Sequence, residues 1–310
     1  MNTMFNLSPE RIFDQKKIKQ LITDQRELPR GRVYYWETGG DTFLRLMDNK
    51  DDPQWVELVN RDGMVILGDA VAGRYLEKIY DKCEFRFIGF RMTPLMDSSI
   101  TRLKKYNPTK DFFCLSAIRS DRAHRQRFKT HLESNGLDAL GFCRFQSGDQ
   151  VDISYEDLEG FYPKKMLQKV LPAILPSVGY YNSTKYEIVI ETFGHHPNDD
   201  SFMMSEKIFK TIIMKHPFMV VTTKDFLGNM RQMGFRTFEN FIDQSYDTAR
   251  TEQEKFEIIS DNIRHLSTKE SSFYARMNEI CEHNYNHFVK MQKNHQKDHE
   301  IELEKIKNGD

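Results

Sequence analysis

The stretch SEKIFKTIIMKHPFMVV, residues 205–221, decides how this chain is read. Ser205 is a natural N-cap, because its hydroxyl accepts from the free amides that open a helix. Glu206 and Lys207 then place a carboxylate and an ammonium side by side in the first turn. An apolar run of helical length follows and stops at His216-Pro217. Phe-Met-Val-Val continues without polar alternation, the pattern of a strand buried on both faces. A helix feeding a buried strand is half of a parallel αβ repeat, so the expected fold class is α/β.

Working outward, the same alternation recurs. RVYYW (32–36), MVILGD (64–69) and FRFIGF (85–90) are short apolar runs with strand character, and segment 70–80 has helical length. A second series opens with FFCLSA (112–117). RQRFKTHLESNG then pairs Phe128 with Leu132 at i,i+4 and ends on Asn135-Gly136, a helix stop. LDALGFCRF (137–145) and KYEIVIET (185–192) predict strands. FLGNMRQMGF (226–235) predicts a short helix closed by Gly234. MLQKVLPAILPS (166–177) is apolar but broken by Pro172 and Pro176, and a helix is expected after Ser8-Pro9. A domain boundary falls near 108–112, at Asn107-Pro108. The organisation expected is an N-terminal domain over 1–110, a second over 111–265 and a helical extension over 266–310.

The chain has 310 residues, 39% hydrophobic and 29% charged, so it can bury a sizeable core. Its net charge of -1 excludes a surface built throughout to attract polyanions. The charge is uneven, however. Nine Lys and Arg residues lie between Arg102 and His131, opposed only by Asp111 and Asp121. Such a block favours a phosphate-bearing ligand nearby. Cys83, Cys114, Cys143 and Cys281 form no CxxC pair, which fits a reducing compartment. No apolar run approaches the ~20 residues that span a bilayer, and the opening MNTMFNLSPERIFDQKK lacks a signal-peptide core. A soluble cytoplasmic protein is expected.

Three constellations carry chemistry. The Ser205-Glu206-Lys207 helix mouth would sit at the carboxyl edge of a parallel sheet, where amides and dipole favour anions. Lys207 adds a point charge for phosphate, and Glu206 suits paired sugar hydroxyls. The plainer reading is an ordinary N-cap with an acid in its first turn. Ser120-Asp121-Arg122-Ala123-His124-Arg125 follows the FFCLSA strand. Basic residues at a helix N-terminus oppose its dipole, so an anionic partner is expected for Arg122, His124 and Arg125. The third is Ile190-Glu191-Thr192-Phe193, an acid closing an apolar strand at the rim where α/β ligands bind. A solvent-facing carboxylate would look the same.

In order, these blocks resemble the donor-binding half of fucosyltransferase-like enzymes of the GT-B fold. The counterparts are Phe113-Cys-Leu-Ser116, Arg122, Ile190-Glu191-Thr192, Ser205-Glu206-Lys207 and His216-Pro-Phe-Met-Val-Val221, within about 112–265. MRQMGFRTFENFIDQSYD (230–247) is similar to glycosyltransferase-like proteins of phages and bacteria. Ser116-Ala117 and Ile-Glu-Thr-Phe depart from the family's Ser-Asn and Phe-Glu-Asn, which argues against a guanine-nucleotide fucose donor. The resemblance implies two facing Rossmann-like domains with a C-terminal helical extension. It implies a nucleotide-sugar donor held by Ser116, Arg122, His124, Arg125, Glu191, Thr192, Ser205, Glu206 and Lys207. It also implies sugar transfer with inversion and without metal or cofactor, in the cytoplasm of a bacterium or phage-infected cell. Inversion needs a general base from the N-terminal half. Asp69, ending MVILGD, is the first choice, with Glu37 and Asp41 as rivals. The acceptor is either a glycan or hydroxymethylated phage DNA, whose base would be flipped out of the duplex.

Other signals compete. His283 and His287, like His295 and His299, have the i,i+4 spacing of a zinc pair but no third ligand. Phe273, Met277, Ile280, Asn284, Phe288 and Met291 approach a heptad seam. A helix packing back on its own chain explains that seam. A homodimer through the 270–292 helix, or a non-enzymatic nucleotide-binding or coiled-coil interaction protein, is the alternative.

Overall fold

The computed structural model describes residues 33–36, 51–53, 56–57, 60, 64–68, 80–82, 84–87, 106–116, 122–145, 178–191, 194, 202 and 204–308. The chain divides into two compact units. One comprises Met1–Arg91, Ser201–Met203 and Lys290–Asp310; the other comprises Met92–Asp200 and Met204–Val289.

The first unit holds β1 (Val33–Trp36), β2 (Met64–Gly68) and β3 (Glu84–Phe87), a parallel sheet in the order β1-β2-β3. Val33 pairs with Met64, and Val65 with Glu84. All three runs read as strands are strands. The predicted helices at 70–80, after Ser8-Pro9 and over 166–177 lie outside the described residues.

The second unit is built on β4 (Lys110–Ser116), β5 (Gly141–Phe145), β6 (Thr184–Ile190) and β7 (Phe218–Val221). They form a parallel sheet in the order β5-β4-β6-β7. Phe112, Phe113 and Cys114 are buried in succession, and so is every residue of β7, as a sheet covered on both faces requires. The helices of this unit begin with α1 (Ala123–Ser134), α2 (Val178–Ser183) and α3 (Glu206–Ile213). They continue with α4 (Phe226–Gln232), α5 (Glu252–Ser267), α6 (Ser271–Ala275) and the start of α7 (Asn278–Asn308).

Three helices stop by the same device. Asn135, Met233 and Met214 are C-caps, and the residue after each has a positive φ. Leu137, Phe235 and His216 then donate back to the carbonyls of Leu132, Met230 and Thr211, which is Schellman geometry. Gly136 and Gly234 take the left-handed conformation freely. Lys215 takes it at φ 52, where a side chain costs about 1 kcal/mol. Its ammonium lies 2.8 Å from Glu282 and 4.5 Å from the centre of the Tyr285 ring, contacts that offset the cost.

The predicted strand over 137–145 is shorter than expected. Leu137 belongs to the helix stop, Asp138–Leu140 form a 3-10 turn, and only Gly141–Phe145 pair. The seam on the C-terminal helices is also broken. Phe273 sits on α6, and a turn through Arg276 and Met277 separates it from α7. Met277, Cys281, Asn284 and Phe288 are buried within their own unit. Phe288 stacks on Phe209 at 4.9 Å, and the Asn284 amide pairs with both backbone groups of Arg236. His283 and His287 stack on each other at 6.1 Å. Their Nε2–H groups donate to the carbonyls of Gly234 and Met233, so the zinc-spaced pair tethers the end of α4.

Candidate functional site

Strand order positions the site. From β4 the chain crosses to β5 on one side; β6, on the other side of β4, leads away to β7. The connections leaving β4 and β6 therefore run to opposite sides, and the carboxyl ends of strands at such a point are where open parallel sheets bind ligands in a crevice. The sequence after β4 leads to α1, and the sequence after β6 leads to α3.

Glu191, the residue after β6, joins the two helix mouths. It is 1% exposed. Its Oε1 accepts from the Ser205 amide at 3.1 Å and its Oε2 from the Ser205 hydroxyl at 2.5 Å, both at the start of α3. Its main-chain carbonyl accepts from His124 Nε2 at 3.2 Å and Arg125 Nη2 at 3.3 Å, both in the first turn of α1. Burial pushes the Glu191 carboxyl up, against the pull of Lys207 and the Ser205 bonds. Gly194 also lies against α1. A Cβ there would lie 2.5 Å from both Cβ and Cγ of His124, so only glycine lets the backbone close on this imidazole.

The α3 mouth is filled by its own chain. Ser205 Oγ accepts from the Lys207 amide at 3.3 Å and from Lys207 Nζ at 3.2 Å. Lys207 Nζ also holds Glu206 Oε1 at 2.8 Å. Burial would raise the Glu206 carboxyl, but Lys207 and Lys210 outweigh it and bring it down to about 2. Glu206 is thus an ionised, half-buried acceptor. The α1 mouth is the opposite. Its N-cap is Arg122, with no side-chain cap bond and no acid in the first turn. Burial, with Arg125, Arg122 and Arg127 close by, brings His124 down to about 4. Burial and Arg122 bring Arg125 down to about 10, so it stays charged at neutral pH.

Beneath α3 lies a second acid. Glu187 is four residues before Glu191 on β6, hence on the same face. Its Oε2 accepts from the Tyr181 hydroxyl at 2.8 Å and from Thr211 Oγ1 of α3. Burial pushes it up to about 7 despite those donors and the nearby Lys210. Lys210 is 8% exposed. Burial brings it down to about 8, with Glu206, Glu187 and Glu191 acting in the other direction. At the end of β7, fully buried Lys255 donates to Thr222 O at 2.9 Å, and Asp247 accepts from the Leu227 and Gly228 amides that open α4.

The structure thus brings together Arg122, His124, Arg125, Glu191, Ser205, Glu206 and Lys207, with Ser116 ending the neighbouring strand. Glu37, Asp41, Asp69 and Thr192 lie outside the described residues. Sequence reasoning missed Glu187, Gly194, Lys210, Asp247 and Lys255. The signal for Glu187 was present: two acids at i,i+4 in an otherwise apolar strand share one face. No group of three or more potential metal ligands occurs among the described residues, and none of their helices is long and apolar enough to cross a membrane.

No family model matches the chain, and no curated protein matches it in sequence. Among solved structures, it is similar to the DNA-modifying enzyme β-glucosyltransferase, determined in the presence and absence of its substrate uridine diphosphoglucose. The identity is 12% and the TM-score 0.44, over 90% of this chain and 74% of that one.

Proposed function

We propose that the crevice between β4 and β6 holds a nucleotide-sugar donor and that the chain is a glycosyltransferase of GT-B type, with facing Rossmann-like domains. The observation that carries this reading is Glu191, which locks two helix mouths of opposite electrostatic character onto one strand end. The basic, uncapped mouth of α1 suits a diphosphate, with Arg122 as the charged contact. The ionised Glu206, held by Lys207, suits paired ribose hydroxyls.

In the reaction, the acceptor oxygen attacks the anomeric carbon as the bond from that carbon to the diphosphate oxygen breaks. The leaving diphosphate gains charge, which Arg122 and the α1 dipole stabilise without a metal. Attack from the opposite face inverts the anomeric centre. A base from the N-terminal unit, Asp69 first and then Glu37 or Asp41, takes the acceptor proton. The acceptor is a glycan hydroxyl or hydroxymethylated DNA. Within the basic block, Arg127 is paired with Glu252, and Lys110 donates to Ala139 O at 2.7 Å, so part of that charge is engaged inside the chain. This favours the glycan. Against the interaction-protein alternative, Met277, Asn284 and Phe288 of the heptad-like seam are buried rather than offered to a partner helix.

The test is a thermal-shift panel of nucleoside diphosphates and nucleotide sugars. One nucleotide raises the melting temperature selectively. Arg122→Ala and Glu206→Ala weaken that response at least about tenfold, each read against the variant's own ligand-free melt, as loss of one charged contact predicts. No response to any nucleotide, or wild-type binding by both variants, overturns the reading.

A further inference from the structure

The buried face of α3 carries more charge than a helix needs for packing. From the sheet outward, Glu187, Lys210, Glu206 and Lys207 alternate in sign, with Glu191 beside them. Arg125 of α1 closes the group through its attraction to Glu191 and Glu206. Three carboxylates therefore face three cations. Adding an anion in the crevice unbalances that set, and adding a proton restores it.

Glu187 is the member built to take the proton. Its partners across the sheet register are Phe113 and Phe218, which stabilise no charge. Tyr181 of α2 and Thr211 of α3 bond the same oxygen, Oε2. Lys210 faces it from α3 and Glu191 from its own strand. His216 packs edge-on against Tyr181 at 5.2 Å. Burial holds His216 down to about 3, so it stays neutral near pH 7, as His124 does. Burial raises both Glu187 and Glu191, and Glu187, at about 7, falls between pH 5.5 and 7.5, where substitution at Glu187 tests its part.

We propose that Glu187 is a positioning residue for anion capture: an anion seated in the crevice is bound together with one proton, which goes from water onto the Glu187 carboxylate. This rests on the crevice being an anion site, as proposed above. The sign follows from linkage. Protonation removes a negative charge beneath α3, so affinity is full below the Glu187 value and falls as pH rises through it. Lys210, brought down to about 8, begins to lose its proton at the top of this range and acts in the same direction, so the Glu187→Gln variant is what separates the two groups.

Sulfate is the probe, because it does not titrate in this range. Its affinity is read by thermal shift on the full chain at pH 5.5 and 7.5, against chloride at equal ionic strength. The wild type binds sulfate roughly threefold or more tightly at pH 5.5. Glu187→Gln, which keeps the shape and fixes the neutral form, binds equally at both values. As a second readout, the 13C carboxyl signal of Glu187 in the wild type titrates at higher pH with sulfate than without. Equal wild-type affinity at both pH values, a pH dependence that survives Glu187→Gln, or an unmoved carboxyl titration overturns the inference and leaves the anion site standing. No sulfate response at either pH, equal to that of Arg122→Ala, overturns the anion site and the inference with it.

Discussion

The mouths of α1 and α3 lie at the carboxyl edge of one sheet and are tied to the same residue, yet they are filled in opposite ways. At α3 the helix brings its own acids: Glu191 takes the Ser205 amide, Ser205 takes the Lys207 amide, and Glu206 stands in the first turn. At α1 the first turn holds no acid and the N-cap makes no side-chain cap bond, and Arg122 and Arg125 add positive charge to a dipole that already repels it. The difference teaches where a ligand belongs. A mouth with an acid in its first turn offers acceptors to hydroxyls, whereas one opened by arginines offers charge to phosphate.

Removing the shared residue breaks the comparison most severely. Glu191→Ala strands the Ser205 amide and frees Lys207 from a nearby acid, and it costs about 3 kcal/mol in urea unfolding. Nucleotide binding weakens with it, because the α3 mouth shifts, while the α1 bonds go to the main-chain carbonyl that alanine keeps. A cost below about 1 kcal/mol would mean that the mouths are held by something else.

Gly194→Ala acts on the α1 side alone. Its methyl meets the His124 ring, at about 2 kcal/mol. The double variant with His124→Gly, which removes the Cβ as well as the ring, recovers part of that loss, which a double-mutant cycle measures as coupling. Purely additive losses would show that the close approach to His124 is not what requires glycine.

Ser205→Ala sharpens the comparison on the α3 side with the smallest effect. It removes one cap and costs about 1 kcal/mol in the same unfolding assay. The response to nucleoside diphosphates stays within about twofold of wild type, since the phosphates sit at the other mouth. A tenfold loss would place the phosphates at α3 instead.

Much of this architecture is legible in the sequence, for local reasons. Phe112–Cys114 and Phe218–Val221 are unbroken apolar runs, and Asn135-Gly136 and Gly234 announce their helix stops. The Lys215 stop is not legible, because a lysine in the left-handed region depends on Glu282 and Tyr285, about seventy residues away. The same holds at the site. Ser205 reads as a cap by itself, whereas the bonds from Glu191 back to both helices span 14 and about 66 residues. His283 and His287 look like metal ligands because spacing alone does not show that two carbonyls of a helix end lie in front of them.

The Phe209–Phe288 stack carries a consequence for how the protein is made. Residue 209 lies on the helix whose first turn bears Glu206 and Lys207, and its aromatic partner follows 79 positions later. A ribosome delivers β4 through β7 well before it delivers the start of α7. Until then α3 lacks the ring that covers its outer face, and the carbonyls of Met233 and Gly234 lack their imidazole donors. The crevice is therefore drafted early in synthesis and set only when the start of α7 has followed.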